Sequence, residues 1–311
     1  MPSPDVVIPE WWGTWKRVKN TVIYYAILAG VGLARVLPLW LLRVLGRSGA
    51  AVGFVFAVQD RKRAVAQLRE SMPELKNPVG TIFKLFLHFG SLGAEWVKIE
   101  KLTTPGSKLL RFDPDIQQVV RDALAEGNGV LCVTPHLGNW ELLAQAATRH
   151  DLPCTTIAKP LYDPRLTALV DAFRGRSGLV TLWRGDGELR QRLTEVLQRK
   201  SLLGVLIDQD TKVSNAFVPF FGRLAATPVV PARLAMMHGC AVVFGYAVRE
   251  GAVYRMHFER VEKPVTTDLA QGALELTAKL TALTEQAIRR YPSQWVWLHR
   301  RWKTRPPQSA L

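Results

Sequence analysis

Cysteine is scarce in this chain: three residues in 311, too few and odd in number for a disulfide framework. Cys132, Cys154 and Cys240 each lie in apolar, strand-like runs and share no metal-type spacing, which points to a reducing compartment. Acid is scarce too. Asp and Glu number 26 against 41 Lys and Arg, a formal charge of +15. Such a surface keeps polyanionic company: nucleic acid, anionic lipid, a phosphorylated substrate or an acidic carrier protein. No serine stands in a Gly-x-Ser-x-Gly frame, which argues against a nucleophile-elbow esterase. Neither a Walker A loop nor a full dinucleotide fingerprint is present, so no nucleotide cofactor is indicated. There are no internal repeats and no low-complexity linker, and the length admits one large α/β domain or two small ones.

What is abundant comes first at the N-terminus. Thr21 to Leu45 is apolar except for Arg35 and Arg43, and Pro38 breaks it. Trp11, Trp12, Trp15, Lys16, Arg17 and Lys19 precede it; Arg47, Arg61, Lys62 and Arg63 follow. Tryptophans and cations beside an apolar stretch are the membrane-interface pattern. Its uninterrupted part, Thr21 to Ala34, is short for a span, and cations at both ends give no orientation. The leader is long for a signal peptide and no small-x-small cleavage site follows. The pattern predicts an N-terminal membrane-anchoring helix that either spans or lies in the interface.

Beyond the anchor, periodicity predicts helices over Gln59–Glu70, Val79–Ile99 and Asp115–Glu126. Strands and helices then alternate: Val130–Thr134, Asn139–His150, Cys154–Ala158, Asp163–Arg176, Leu179–Trp183, Gly187–Arg199 and Leu202–Ile207. Thr227–His238 reads as a helix, Cys240–Arg249 with Ala252–Arg260 as a hairpin, and Asp268–Arg290 as a long helix. This order predicts an α/β fold with a mixed central sheet flanked by helices.

The stretch His136-Leu-Gly-Asn-Trp-Glu141 follows a buried strand and opens a helix. Open α/β sheets place their chemistry at such a strand end. A histidine takes a proton near neutral pH, and a carboxylate nearby orients it and stabilises its cation. A histidine near a glutamate is also the pattern of a surface ion pair or a satisfied core histidine. The setting favours catalysis here: Pro135 and Gly138 define the loop, Asn139 is a good helix cap and Trp140 walls the site.

Other candidates are weaker. Asp208 and Asp210 end another buried strand, where they either reach the same crevice or cap a loop. With a single histidine nearby in sequence, no metal is expected. Arg184 closes a strand in Trp183-Arg184-Gly185 and points to the crevice, whereas Arg174, Arg176, Arg190 and Arg192 read as solvated helix surface. Thr227 and Pro228 read as a helix start that, with Arg223, would receive a phosphate, but the spacing favours an aromatic loop covering the core. From Arg289 to Arg305 six Lys and Arg and no acid interleave with Trp295, Trp297 and Trp302, a pattern for nucleic acid or, beside an anchor, for anionic lipid.

Taken together, these blocks resemble the late acyltransferases of lipid A biosynthesis, within the lysophospholipid acyltransferase superfamily. His136 to Glu141 matches the superfamily's His-x4-Asp/Glu box. Trp183-Arg184-Gly185, Asp208-Gln-Asp210, Phe220-Phe-Gly222 with the following Ala-Ala-Thr-Pro, and Tyr291 to Pro306 resemble later blocks. The resemblance implies a glycerol-3-phosphate-acyltransferase-like fold, with residues 1–50 as anchor and interface segment and 51–311 as the acyltransferase domain. It implies transfer of a fatty acyl group from acyl carrier protein, or acyl-CoA, to a hydroxyl of a phosphorylated glycolipid. The most direct acceptor is a lipid A precursor at the cytoplasmic side of a bacterial inner membrane. His136 and Glu141 are then the catalytic dyad, with Glu141 holding the imidazole. Asn139, Arg184, Asp208, Asp210 and Arg223 are the substrate-binding candidates. Neither cofactor, metal nor nucleic acid is expected. The alternatives are another bacterial glycolipid or phospholipid acceptor, or a non-enzymatic basic membrane protein that binds polyanions.

Overall fold

In the computed structural model, which describes residues 6, 8, 9 and 11–306, Pro38 divides the N-terminal apolar stretch into two helices. They are α1 (Thr14–Val36) and α2 (Leu39–Phe56). Residues 1–5, 7 and 10 of the expected anchor segment, and 307–311 of the expected acyltransferase domain, lie outside the described residues. The one helix long and apolar enough to cross a membrane, among the described residues, is α2, with a mean hydropathy of 1.4. It is not the Thr21–Ala34 run, and it continues past residue 50.

Helices α3 (Val58–Ser71), α4 (Pro78–Val97) and α5 (Ile99–Thr103) follow, then β1 (Leu110–Arg111) and α6 (Pro114–Ala125). The alternating section is β2 (Val130–Thr134), α7 (Trp140–Arg149), β3 (Cys154–Ala158), α8 (Pro164–Gly175), β4 (Val180–Trp183), α9 (Leu189–Gln198) and β5 (Leu202–Leu206). The chain closes with β6 (Asn215–Phe220), β7 (Arg223–Pro228), α10 (Val230–His238), β8 (Ala241–Glu250), β9 (Val253–Arg260) and α11 (Leu269–Arg290). A 3-10 turn at Pro292–Gln294 leads into the C-terminal tail.

Seven strands form one sheet in the order β1-β9-β8-β2-β5-β3-β4. All neighbours are parallel except β8 and β9, whose hairpin makes the sheet mixed, as the sequence predicts. Alternation splits the apolar side chains between two cores. Leu131, Val133, Leu203 and Val205 face α3, α4, α9, α10 and α11. Val130, Cys132, Cys154 and Leu202 face α5, α6, α7 and α8. Because β5 returns between β2 and β3, the strand order reverses beside β2, and a crevice opens at the carboxyl ends there.

One predicted helix start is a strand instead. Thr227 lies in β7, paired with Ala216 of β6, and α10 begins at Val230. The hairpin turns on Phe221 and Gly222, both at positive φ (51° and 71°), the geometry of a two-residue primed turn. A phenylalanine in that position hides the turn from a reading that looks for Asn-Gly or Gly-Gly.

Helix α2 packs along α4 where Gly46 meets Gly90. A Cβ on either would overlap the carbonyl oxygen of the other, so only glycine allows this approach. Gly90→Val should therefore destabilise the protein by about 1–3 kcal/mol and loosen α2 first. Thermal melting and limited proteolysis near residues 39–56 check this.

Candidate active site

The register of two adjacent strands assembles the site. Thr134 of β2 pairs with Leu206 of β5, so the residues two further on, His136 and Asp208, emerge side by side. His136 Nδ1 lies 2.8 Å from Asp208 Oδ1, and the His136 backbone N–H donates to Oδ2 at 2.7 Å. The Trp295 indole N–H donates to that same Oδ2, also at 2.7 Å. The Asp208 side chain is fully buried, while that of His136 is 21% exposed. Burial alone would raise the Asp208 pKa. The His136 ring beside it and the three hydrogen bonds outweigh that and hold the carboxyl below the usual range. With a carboxylate on Nδ1, Nε2 is the ring nitrogen left to take a proton.

The loop behind His136 is clamped from several sides. Gly138 has φ 63°, and a Cβ there would overlap the Ala247 carbonyl oxygen. Its N–H donates to the Gln294 carbonyl at 3.0 Å, and its own carbonyl accepts from His88 Nε2 at 2.9 Å. Asn139 donates its N–H to Ala247 and caps α7, its Oδ1 accepting from Leu142 N–H at 2.9 Å.

Contrary to the sequence reading, Glu141, in the first turn of α7, does not hold the imidazole. It faces α8 and takes a two-pronged ion pair from Arg174, with Nη2 to Oε2 at 2.7 Å and Nε to Oε1 at 3.0 Å. Gln145 adds a further bond at 2.9 Å. A permanently charged fork outcompetes an imidazole for that carboxylate, and Asp208 is already fixed at the ring. Arg174 is thus not solvated helix surface: its side chain is 13% exposed.

His136, Trp140, Glu141, Arg174 and Arg184 border one cavity of about 450 Å³, mostly apolar, lined by residues from β2, β3, β5, α7, α9 and α10. Cys132 and Cys154 are in its wall. Burial pushes both thiols up, Cys154 to about 12, so they serve as small apolar surface. The remaining expected binding residues stand outside this wall. Asp210 accepts from Thr304, through its N–H at 2.6 Å and its hydroxyl at 2.9 Å, and donates its own N–H to His299 Nε2 at 2.9 Å. Arg223 pairs with Glu70 and lies 3.7 Å over the Trp302 ring. Thr227 accepts from Arg301, a fully buried residue. No group of three or more His, Cys, Asp or Glu converges to hold a metal among the described residues.

The tail also differs from its reading as a lipid-facing strip. Trp295, Trp297 and Arg301 are fully buried. They close the core under the β6–β7 hairpin, and Trp295 reaches Asp208. The sequence reading missed this role because a basic aromatic composition masks the apolar packing of two of its tryptophans.

Comparison with known proteins supplies the class. Residues 14–304 match the family described as bacterial lipid A biosynthesis acyltransferase, and the chain belongs to that family. Among curated relatives it is 28% identical over 189 residues to the phosphatidylinositol mannoside acyltransferase of Mycolicibacterium smegmatis, spanning 58% of this chain and 59% of that one. The enzyme of that name from Mycobacterium tuberculosis is 26% identical over 182 residues, 58% of this chain and 56% of its own length. The lipid A biosynthesis lauroyltransferase of Escherichia coli is 29% identical over 207 residues, 65% of each chain. The alignments thus cover little more than half the length of these two mycobacterial relatives.

The clamp on the His136 loop carries its own pH dependence. Burial pushes His88 down from 6.5 to about 4, its bond to Gly138 only partly opposing. A group with a depressed folded pKa contributes stability that is full above 6.5 and is lost as pH falls towards 4. The loss should reach about 3 kcal/mol. Urea melts between pH 7 and pH 4 check this: His88→Gln, which keeps an N–H for Gly138, should flatten that part of the curve.

Proposed function

We propose that this protein is a membrane-associated O-acyltransferase. It moves a fatty acyl group from a thioester donor, acyl carrier protein or acyl-CoA, to a hydroxyl of a phosphorylated glycolipid. The observation that carries the reading is the buried Asp208 carboxylate on Nδ1 of His136, a residue that borders a large apolar cavity, with Nε2 left to take a proton. Family membership supports acyl transfer as the chemistry. A lipid A precursor is the acceptor we favour, and a mannosylated phosphatidylinositol is the second reading, since named relatives act on each.

In this mechanism Nε2 takes the acceptor's hydroxyl proton as the oxygen attacks the thioester carbon. The tetrahedral oxyanion collapses, the C–S bond breaks, and the leaving thiolate takes the proton from the imidazolium. No covalent enzyme intermediate is needed, because a thiolate leaves readily. Arg184, which lines the cavity and has no ion-pair partner among the described residues, is suited to the oxyanion or to a phosphate. Asp208 orients the ring and stabilises its cation. Glu141 acts beside it by fixing Arg174 across the cavity wall. Asn139, Asp210 and Arg223 contribute by holding the loop, the tail and the hairpin in place.

With acyl-carrier donors and a tetra-acylated lipid A precursor or a mannosylated phosphatidylinositol, His136→Ala should lower kcat by about a thousandfold. Asp208→Asn should lose about a hundredfold, and more than Glu141→Gln. The reverse order would return the imidazole to Glu141, and wild-type turnover by His136→Ala would overturn the mechanism.

We place the protein on the cytoplasmic side of a bacterial inner membrane, in a glycerol-3-phosphate-acyltransferase-like fold. Exposed apolar side chains along α1 and α2, including Trp15, Val22, Leu33, Trp40 and Val55, support the anchor, and three buried free thiols suit a reducing compartment. Val22→Glu with Leu33→Glu should weaken sedimentation with anionic vesicles without lowering the melting temperature. High salt should weaken wild-type binding as well.

A further inference from the structure

Gly204 stands in the middle of β5, a central strand, where glycine is a poor choice: it packs nothing and loses the most backbone freedom. Three things excuse a strand glycine: a positive φ, a backbone pressed against it, or a ligand that needs the space. The first two do not apply. Its φ lies outside the left-handed region, and a Cβ would meet only Cys154 Sγ at 3.6 Å, the Thr155 carbonyl at 3.7 Å and Thr156 Oγ1 at 3.9 Å, ordinary contacts. The space it leaves belongs to the cavity below His136.

We infer that Gly204 sets the length of acyl chain this enzyme accepts, by keeping open the deep end of the cavity arm between the sheet and α7. This rests on the acyl-transfer reading of the site. Gly204 pairs with Cys132 on β2 and Thr156 on β3, so three small residues form a trough across the central strands. Ala144 and Ala147 of α7 line the same cavity opposite, and Leu202 and Phe258 line it deeper in. Cys132 lies four residues before His136, so the trough is about 13 Å below the reacting centre at the rise of a strand. Leu202 is two residues, or about 7 Å, deeper. A side chain at Gly204 would therefore close the far end of the arm and leave the near end open.

The test uses the full-length protein in detergent with decanoyl, dodecanoyl, tetradecanoyl and hexadecanoyl carrier-protein donors. The variants are Gly204→Ala, which the space admits, and Gly204→Val. Each methylene kept out of an apolar site costs about fourfold in binding. Excluding two predicts a fall of roughly fifteenfold in kcat/KM for the longest useful donor relative to the shortest. Gly204→Val should shift the preference further than Gly204→Ala, at unchanged melting temperature. Binding of the matching free fatty acids, read by displacement of a fluorescent fatty acid, should shorten in the same order. Transfer by every variant with the wild-type chain-length profile would overturn the inference. A shortened binding ladder without transfer by the wild type would instead overturn the acyl-transfer reading and leave Gly204 as the limit of a fatty-chain site.

Discussion

A buried, ionised carboxylate with every bond accounted for is the constraint on which the site depends. Asp208 has no access to water, and an isolated charge in that position would be prohibitive. It is tolerated because two separate parts of the chain converge on it with three hydrogen bonds. The end of β2 brings the His136 N–H and ring, and the tail brings the Trp295 indole. Removing one partner of such a buried pair costs about 3–5 kcal/mol, so the same interaction that orients the imidazole also fastens the tail to the sheet. The geometry of the candidate site and the closure of the chain are one structural event here.

A second buried carboxylate ties the anchor side to the sheet. Glu95 of α4 is fully buried and takes Arg43 of α2 at 2.7 Å, Arg249 of β8 and the Tyr254 hydroxyl of β9 at 2.7 Å. Arg43 looks like an interruption of a membrane segment when read along the chain. In the fold it is the group that completes this cluster. Together with the contact of Gly46 and Gly90, it explains how a helix that exposes most of its apolar surface is still held at a defined place on the body. A polar residue in an apolar helix marks a docking point here.

Elements were legible in the sequence where local pattern decides them. The strands Val130–Thr134 and Cys154–Ala158 are bounded by glycine or proline and appear where they are read, and the β8–β9 hairpin is signalled by its Glu-Gly-Ala turn. The position of His136 at a strand end follows from the same pattern. Its partner was not legible. Glu141 is five residues away in sequence, yet a helix turn sends it to Arg174, whereas Asp208, 72 residues away, arrives because β5 inserts beside β2. Strand order is a non-local property, and no spacing along the chain encodes it. The burial of Trp295, Trp297 and Arg301 was hidden for a related reason: their composition suits a polyanion-binding surface, and only the hairpin packed above them makes it core.

Helix α1 and the residues ahead of it are joined by contacts to a segment beside the cavity. Trp12, buried ahead of α1, stacks on Tyr162 at 5.2 Å, and Arg165 reaches Thr21 at 3.1 Å and lies over the Tyr24 ring at 4.7 Å. Tyr162 lies in the segment joining β3 to α8, which starts at Lys159 on the cavity wall, and Arg165 lies in the first turn of α8, which leads to Arg174 on the same wall. If α1 and α2 lie in a bilayer surface, as proposed, they set the height of this segment against the lipid headgroups. A glycolipid acceptor keeps its chains in the bilayer and offers only its head to the protein. In the proposed function the reacting hydroxyl then comes to His136 from the side where α1 is seated, while the donor chain enters the apolar cavity. An alcohol adds to a thioester carbon from above the carbonyl plane, so in that reading Nε2 must hold the hydroxyl over that face while the chain stays in the cavity.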